Sequence, residues 1–268
     1  MIENIELKLL LEGVYQHYGY DFRQYAHASI KRRIKRHMAL NNIATMSQLQ
    51  DRVLHDVQLM DKLFKDISVH VTDMFRDPDF YHSFRNNIVP LLHTFPLFHI
   101  WHAGCSTGEE VYSLAILLRE ADLLERARIY ATDINDVALK TAQQGIYPLS
   151  HMQNSIALYR DAGGREDFSE YYVARYGNVL FDPALKQYIT FCNHNLVTDQ
   201  PFQRFDIILC RNVMIYFNTE LKAQSIKLFH QSLNPRGLLA VGAKESVDMK
   251  KHFESFDKAN RIYRKIEP

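Results

Sequence analysis

The sequence predicts an α/β fold, in which an all-α N-terminal domain precedes a doubly wound, mostly parallel sheet with a small antiparallel β insertion. Residues 98–110 carry the main signal, because an apolar strand around Trp101 runs into a small-residue turn that opens a helix at Glu109. Apolar strands alternate with amphipathic helices after this segment. Before it, residues 1–75 show helical periodicity and contain no proline. We therefore expect a helical domain at 1–75 and a sheet domain at 76–268.

Four helices are expected in the N-terminal domain, because apolar residues recur there at spacings of three and four. Their apolar positions are Ile5, Leu9 and Leu10 in the first helix, Ile30, Ile34 and Met38 in the second, Leu49, Val53 and Leu54 in the third, and Leu59, Leu63, Phe64 and Ile67 in the fourth. The first helix is expected to end near Gly13 or Gly19. A further helix follows Pro78, and its apolar positions are Phe80, Phe84, Ile88 and Leu91.

The sheet domain is expected to continue as alternating strands and helices. The predicted strands after the first are 128–132, 205–210 and 238–241, and the predicted helices are 137–144 and 219–233. Residues 168–193 interrupt the alternation and predict the antiparallel insertion. The insertion is expected to contain a hairpin of 171–175 and 179–181 around Tyr176-Gly177-Asn178, a short helix from Asp182-Pro183 and a strand at 189–193.

Charge and cysteine content exclude several classes of protein. The chain has 32 basic and 31 acidic residues and a net charge of +1, which argues against whole-chain affinity for nucleic acid or anionic membrane. Cys105, Cys192 and Cys210 include no C-x-x-C pair, so neither a disulfide framework nor a cysteine zinc site is expected. Glu3 and Glu6 interrupt the apolar N-terminus, and no stretch is long enough to cross a bilayer. We expect a cytoplasmic protein without direct membrane insertion.

The histidines do not predict a metal site. The chain has 13 of them, among them His93, His99 and His102, but none lies in H-E-x-x-H or another recognised ligand spacing. Histidines near strands more often pack or form hydrogen bonds than bind metal. We predict no metal.

The turn after the first strand has the layout of a ligand site at the carboxyl edge of an open α/β sheet. Its glycines, Gly104 and Gly108, are spaced G-x-x-x-G, which is neither the dinucleotide pattern nor the P-loop. The turn alone therefore does not identify the ligand.

Polar residues follow two further predicted strands. Asp133 comes 25 residues after Gly108, where nucleotide-binding folds place an acid for ribose hydroxyls, but it could equally cap the next helix. Asn212 follows the strand 205–210 and could contact an amino-acid backbone or an adenine edge, and Tyr216 lies one helical turn further on. A cap and a tyrosine packed on the sheet are the alternatives for this pair. From these residues alone, both questions stay open.

Six motifs, taken together and in order, resemble the chemotaxis receptor glutamate methyltransferases, the CheR family. They are VTDMFRD, HAGCSTGEEVYSLAI, ATDIN, GIYPLS, FCNHNL and CRNVMIYF. The resemblance implies a Rossmann-like, S-adenosylmethionine (SAM)-dependent O-methyltransferase that esterifies glutamate side chains on the cytoplasmic helices of methyl-accepting chemoreceptors and releases S-adenosylhomocysteine. Two alternatives share the fold: a non-catalytic signalling adaptor, and a methyltransferase for another carboxylate substrate.

The resemblance also assigns roles to residues of this chain. The cofactor-binding positions that it implies are Thr72, Arg76, Ala103, Gly104, Glu109, Asp133, Asn195, Leu196 and Asn212. Arg76 and Tyr216 correspond to the residues at the reacting end. A glutamate with a pKa of about 4.3 is already ionised at neutral pH, so its methylation needs no general base. We assign Arg76 to orienting the substrate carboxylate and Tyr216 to shaping the reaction centre; an interdomain salt bridge is the alternative for Arg76.

The second helix is strongly basic. Its basic residues are Lys31, Arg32, Arg33, Lys35 and Arg36. The resemblance implies that this helix docks the acidic receptor helices, whereas a solvated face or an RNA contact would give the same composition. No RNA-binding motif is present, so we expect no nucleic-acid partner.

The chain departs from the best-known CheR members at two places. His70 stands where their linker usually has asparagine, which is expected to alter cofactor affinity. The hairpin turn at Tyr176-Gly177-Asn178 looks more compact than in members that grip a C-terminal receptor pentapeptide, which leaves tethering open and favours a member that does not need it. No heptad pattern demands a partner helix, and we expect a monomer.

Overall fold

A computed structural model describes residues 2–67, 72–247 and 252–266. The chain divides into two compact units. The first, which we call the helical unit, comprises Met1–His70 together with Ile215–Ser225. The second, the sheet unit, comprises Val71–Met214 together with Ile226–Pro268. A segment from the last quarter of the chain thus belongs with the N-terminal helices. His70, which departs from the family pattern, lies outside the described residues.

The four predicted helices of the helical unit are confirmed. They are α1 (Ile2–Tyr18), α2 (His27–Leu40), α3 (Met46–His55) and α4 (Val57–Ile67). The predicted apolar residues of α2 and α4 are buried. Thr45 caps α3, since its side chain accepts a hydrogen bond from the backbone N–H of Gln48 at 3.1 Å.

The apolar positions that predicted α1 do not all lie on its buried face. Ile5 and Leu9 are each 53% exposed, and the buried residues of this helix are Leu7, Leu10, Leu11 and Val14. Apolar side chains occur on several sides of α1, so periodicity alone did not define the face that packs on α3. The helix continues through Gly13 and ends before Gly19, whose φ of 77° suits a glycine after the last turn.

The helix after Pro78 changes its winding part-way. It consists of α5 (Pro78–Ser83), a π-helical turn (Phe84–Ile88) and α6 (Val89–Leu92). Pro90 has no N–H to donate to the preceding turn, and a wider turn relieves the clash of its ring with that turn. The extra residue in the wider turn shifts the buried face of the following turn by one position. Leu92 is therefore buried, whereas the predicted core position Leu91 is 39% exposed.

The strands confirm the predicted doubly wound, mostly parallel sheet. In chain order they are β1 (Phe98–Ala103), β2 (Ala127–Asp133), β3 (Ile146–Pro148), β4 (Tyr172–Arg175), β5 (Asn178–Phe181), β6 (Ile189–Asn193), β7 (Phe205–Cys210), β8 (Leu233–Val241), β9 (Phe253–Asp257) and β10 (Ile262–Lys265). The large sheet has the order β6-β2-β1-β7-β8-β10-β9. Its first five strands are parallel, and β10 and β9 are antiparallel. The order reverses at β1, so the carboxyl ends of β1, β2 and β7 meet at one edge.

The antiparallel insertion differs from the prediction in its membership. The small sheet has the order β3-β5-β4, so it includes β3 from the GIYPLS motif, where no strand was expected. β6, expected within the insertion, pairs parallel to β2 in the large sheet instead. The hairpin turn consists of Tyr176 and Gly177, both with positive φ, and Asn178 already belongs to β5. The hairpin of β9 and β10 was also not predicted.

The remaining helices connect these strands. They are α7 (Glu109–Glu120), α8 (Asp136–Gln144), α9 (Met152–Asp161), α10 (Pro183–Lys186) and α11 (Thr219–Ser232). These bounds confirm the predicted helix start at Glu109 and, to within one residue at each end, the predicted helices 137–144 and 219–233. None of the helices among the described residues combines the length and the hydropathy that a bilayer crossing requires.

Trp101 anchors the core behind the carboxyl edge. It is fully buried, and its Nε1 donates to the Thr132 hydroxyl at 2.8 Å. The rings of Phe205 and Phe229 lie within 5.6 Å of it, centroid to centroid. Replacing a tryptophan packed in this way by alanine costs about 3–5 kcal/mol of stability. The ends of β1 and β2 are thus fixed by a side chain that lies beneath them.

Candidate active site

The turn between β1 and α7 depends on its two glycines. Gly104 has a φ of +82°, and a Cβ at this position would lie 2.5 Å from the Cγ2 atom of Val213. Gly108 has a φ of +94°, and its Cβ would lie 2.8 Å from the Cβ of Ala142. Any other residue would suffer both the unfavourable dihedral and a clash. The glycines therefore let the backbone approach the segment after β7 and helix α8.

Asp133, the last residue of β2, fastens this turn to the neighbouring strand. Its Oδ2 accepts a hydrogen bond from the backbone N–H of Ser106 at 2.8 Å, and its Oδ1 accepts one from Asn135 at 2.9 Å. The cap of α8 is Asn135, whose Oδ1 accepts from two backbone N–H groups of the first turn. The alternative of Asp133 as a helix cap is therefore wrong, and its carboxylate is hydrogen-bonded to the glycine turn.

Glu109 is a buried carboxyl group at the start of α7. It is 9% exposed, and burial raises its pKa from 4.5 to about 7. The Thr107 hydroxyl donates to its Oε2 at 2.6 Å, and the charge of Asp73 raises the pKa further. Within the part of the chain that the structure describes, no cation pairs with Glu109. A cationic group placed beside it would restore the ionised form.

Arg76 lies between two residues with left-handed backbone conformation. Phe75 has a φ of 54° and Asp77 a φ of 58°, which is uncommon for residues other than glycine. Phe75 is fully buried, and its backbone N–H donates to the Ser113 hydroxyl at 2.9 Å. Backbone strain of this kind persists only where the surroundings enforce it, and it concentrates at functional sites.

Arg211 holds the other side of this bend. Its side chain is 2% exposed; Nη1 lies 2.6 Å from Glu110 Oε2, and Nη2 lies 2.8 Å from Asp77 Oδ2. Nη2 also donates to the backbone oxygen of Arg76 at 3.3 Å. Burial alone would raise the pKa of Glu110, but Arg211 and His102 lower it below its ordinary value. The ion pair therefore consists of two charged groups inside the sheet unit.

Asn212, the residue after Arg211, is held by the buried carboxylate of Glu245. It has a φ of 61°, and its backbone N–H donates to Glu245 Oε2 at 2.9 Å. The backbone N–H of Gly242 donates to the same oxygen at 2.5 Å. Glu110, Arg211 and Glu245 were not among the predicted site residues. The position of Arg211 and Glu245 just after buried strands was the available signal.

The other predicted cofactor residues also belong to the sheet unit. Ala103 ends β1 and is buried, and Thr72 is partly buried. Asn195 and Leu196 follow β6 and are partly buried. The Asn195 Oδ1 accepts a hydrogen bond from the backbone N–H of Val197 at 2.9 Å, so this oxygen shapes its own loop. All nine predicted cofactor residues thus lie in one unit.

Tyr216 belongs to the helical unit. It ends a short 3₁₀ turn, and its backbone oxygen accepts a hydrogen bond from the N–H of Ala26 at 2.8 Å. The next residue, Phe217, forms an isolated antiparallel bridge with Tyr25. The segment that carries Tyr216 is therefore paired with the loop before α2.

The five basic residues of α2 do not form one patch, although they were predicted together as the docking helix. Lys31 and Lys35 pair with Glu3 of α1, at 2.6 and 2.5 Å. Arg33 is partly buried, whereas Arg32 and Arg36 are exposed. Residues four apart share a helix face, so the basic residues fall on three different faces. Arg32 and Arg36 share one face, and Lys35, which is also exposed, pairs with Glu3 instead.

Comparison with known proteins decides the family. Residues 70–262 match the family model described as "CheR methyltransferase, SAM binding domain", and residues 5–68 match the one described as "CheR methyltransferase, all-alpha domain". The chain belongs to the CheR methyltransferase family. Its CheR SAM-binding domain contains every cofactor residue predicted above, from Thr72 to Asn212.

Relatives of similar length support this membership. The chain is 50% identical over 265 residues to "Putative methyltransferase Cher3" of Pseudomonas putida, covering 98% of this chain and 97% of that protein. It is 29% identical over 231 residues to "Chemotaxis protein methyltransferase" of Listeria monocytogenes, covering 85% of each. It is 28% identical over 270 residues to the protein of that name from Borreliella burgdorferi, covering 93% of this chain and 90% of the other.

SAM is the cofactor of CheR proteins, and the residues present here fit it. SAM carries an amino group that is cationic at neutral pH and a ribose with two hydroxyls. The buried Glu109 carboxyl has no cationic partner among the described residues, and the Asp133 carboxylate lies beside a glycine turn that brings backbone close. No group of three or more His, Cys, Asp or Glu among the described residues could hold a metal ion.

Proposed function

We propose that this CheR protein transfers the methyl group of SAM to glutamate side chains on the cytoplasmic helices of a chemoreceptor, forming glutamyl methyl esters. The observation that carries the proposal is the pair of carboxyl groups, Glu109 and Asp133, at the carboxyl edge of a sheet in a CheR SAM-binding domain. The names of the Listeria and Borreliella relatives support the receptor as the substrate.

The cofactor roles follow from the chemistry of each side chain. Glu109 would bind the amino group of SAM, and Asp133 would accept hydrogen bonds from the ribose hydroxyls. Ala103 and Gly104 would line the cofactor at the end of β1. Asn195, Leu196 and Asn212 would contact its adenine and methionine parts, and Thr72 with Arg76 would close over it.

Transfer depends on alignment more than on proton movement. When bound, SAM supplies an electrophilic methyl group on a positively charged sulfur. The target glutamate is already ionised at neutral pH, so no residue of this chain has to act as a general base. Arg76 would hold the target carboxylate through its fork of donors, and Tyr216 would shape the space around the reacting atoms. Alignment of this kind supplies about 7–11 kcal/mol of a barrier.

The N-terminal domain, taken as 1–75, would dock the receptor, and 76–268 would carry out the transfer. The receptor's acidic helices would meet Arg32 and Arg36, the two exposed arginines of α2. Because the target helices are cytoplasmic, the chain would act in the cytoplasm, as a monomer. The two-residue turn between β4 and β5 favours a protein that works without a pentapeptide tether.

The test combines cofactor binding with methyl transfer. SAM binding is measured by calorimetry, and transfer from SAM with a tritiated methyl group is followed on a panel of receptor cytoplasmic fragments. We expect binding and a label that base treatment releases as methanol, because carboxyl methyl esters are base-labile. Binding without transfer to any fragment would favour the signalling adaptor. Base-stable label would exclude a carboxylate target, and absence of binding would overturn the proposal altogether.

A further inference from the structure

Arg33 contacts Tyr216 within the helical unit. The guanidinium carbon lies 4.5 Å from the centroid of the Tyr216 ring, a cation–π geometry. The Nη1 atom of Arg33 also donates to the backbone oxygen of Ile67, the last residue of α4, at 2.5 Å. One guanidinium group therefore joins α2, the end of α4 and the segment that carries Tyr216.

Helix geometry separates Arg33 from the other arginines of α2. Each residue advances about 100° around the helix. Measured from the buried Ile34, Arg33 lies at about 100° on one flank of the core face, while Arg32 and Arg36 lie at about 160°, on the far side. Burial lowers the pKa of Arg33, because protein replaces water around the guanidinium. A receptor helix that reaches Arg32 and Arg36 therefore meets a different surface.

The main chain around Tyr216 is already fixed. The Ala26 N–H donates to the Tyr216 oxygen at 2.8 Å, and the Asn218 N–H donates to the Gln24 oxygen at 3.0 Å. The rings of Tyr25 and Phe217 lie 5.4 Å apart, centroid to centroid. These contacts do not fix the side-chain dihedral angles of Tyr216, which set the orientation of its ring. A guanidinium over one face of the ring restricts that rotation without blocking the opposite face.

We propose that Arg33 is a positioning residue that holds the Tyr216 ring in its orientation for methyl transfer, and that it does not dock the receptor. The inference rests on the function proposed above for Tyr216. Arg33, one of the five basic residues of α2, would then affect kcat and not the KM for the receptor. Holding the Tyr216 ring in this way costs free energy, because the charged Arg33 side chain is partly removed from water. An exposed docking residue would not carry this cost.

The kinetic test compares Arg33→Met with Arg32→Met, the same chemical change one position away. Transfer from SAM to a receptor fragment is measured at steady state, with kcat and the KM for the receptor determined separately. We expect Arg33→Met to lower kcat by about tenfold with little change in KM, and Arg32→Met to raise KM with little change in kcat. Arg33→Lys keeps the charge and is expected to recover part of the loss. Arg52→Met, an exposed change on α3, controls for general effects on the unit.

A second measurement follows Tyr216 without catalysis. In protein labelled with ¹³C at the tyrosine rings, the Tyr216 signal is identified by its loss in Tyr216→Phe. We expect Arg33→Met to shift this signal and Arg32→Met to leave it in place. In a Tyr216→Leu background, Arg33→Met should have no further effect on kcat.

The two proposals fail in different ways. If wild-type protein transfers no methyl group to any receptor fragment, the proposed function is wrong. If wild-type protein is active but Arg33→Met raises the receptor KM and keeps kcat, as a docking residue would, the inference alone is overturned. An unshifted Tyr216 signal in Arg33→Met would overturn it as well.

Discussion

The guanidinium of Arg211 lies 2.6 Å from the carboxylate of Glu110, with both groups enclosed in the sheet unit. The two residues are 101 positions apart in the chain. The same guanidinium binds Asp77 and the backbone oxygen of Arg76. A buried pair of this kind gives little net stability, but losing one partner leaves an uncompensated charge. Its effect here is to fix the backbone bend that carries Arg76.

Replacing Arg211 alone should be strongly destabilising. Arg211→Met removes the guanidinium from Glu110 and Asp77 and leaves Glu110 with the weaker contact to His102, and we expect the free energy of unfolding to fall by about 3–5 kcal/mol in urea denaturation. Adding Glu110→Gln should recover part of this loss, because the unpaired charge is removed. Arg160→Met, at an exposed arginine of α9, should change stability by less than about 0.5 kcal/mol. Equal effects of the two arginine changes would contradict the account of the pair.

Glu109 should make the cofactor-free protein less stable as the pH rises. Its folded pKa of about 7 exceeds the ordinary 4.5, so the folded state holds the proton more tightly than the unfolded state does. The resulting stabilisation is present below pH 4.5 and is lost as the pH rises to about 7. Compared with wild type, Glu109→Gln should lose less stability between pH 5 and 8, by on the order of 2–3 kcal/mol. Parallel stability curves for the two proteins would contradict this.

SAM affinity should show the opposite pH dependence. The ionised Glu109 is the form that binds a cationic amino group, so affinity should rise between pH 6 and 7.5 in wild-type protein. Glu109→Gln should bind more weakly and lose this dependence. Calorimetric titrations at several pH values measure both effects. The same pH dependence in Glu109→Gln would mean that another group meets the amino group.

Asp133→Ala should weaken SAM binding by about 10- to 100-fold, because charge-assisted hydrogen bonds to the ribose and to the turn are lost together. The matched control is Asp136→Ala, three residues later in the first turn of α8, where the carboxylate accepts a hydrogen bond from Asn193. Calorimetry should find affinity close to wild type in this control. A similar loss in both variants would mean that Asp133 acts only through the local fold.

Gly104→Ala tests the close approach of the cofactor turn. The added Cβ meets Val213 at 2.5 Å, whereas a Cβ at Gly177, with a similar φ of +74°, meets nothing within 4 Å. Gly177→Ala should therefore cost only the dihedral penalty of about 1–2 kcal/mol, and Gly104→Ala about 1–3 kcal/mol more. Adding Val213→Ala should restore the steric part. Equal melting curves for the two glycine variants would contradict the described packing.

The sequence predicted the fold because its signals are local. The strand, glycine turn and helix around Trp101 and Glu109 have periodicities that need no distant partner to be recognised. Two of the missed features depend on partners elsewhere in the chain. Which face of α1 packs, and that β6 joins the large sheet, follow from neighbours that periodicity does not identify. Arg33 looked like part of a basic face, because its contact with Tyr216 joins residues 183 positions apart.

The candidate site was predicted in part for the same reason. Asp133 and Asn212 follow buried strands, and the CheR resemblance assigned their roles. Glu245 also follows a buried strand, but its hydrogen bonds to Asn212 and Gly242 become visible only in the structure. The bend at Arg76 has little sequence signal, since aspartate is enriched in left-handed backbone but a phenylalanine such as Phe75 is not.

In the proposed reaction, a methyl group moves from SAM to a glutamate carboxylate of a receptor helix. The most direct test of this reaction is to incubate the protein with SAM carrying a trideuterated methyl group and a receptor cytoplasmic fragment, and to locate the label by tandem mass spectrometry. The predicted result, at saturating SAM, is labelled glutamate in wild-type reactions and at least about a hundredfold less in Arg76→Ala, because the target carboxylate loses its alignment. Label on lysine or another side chain would exclude glutamate as the target, and label unaffected by Arg76→Ala would exclude the proposed role of Arg76.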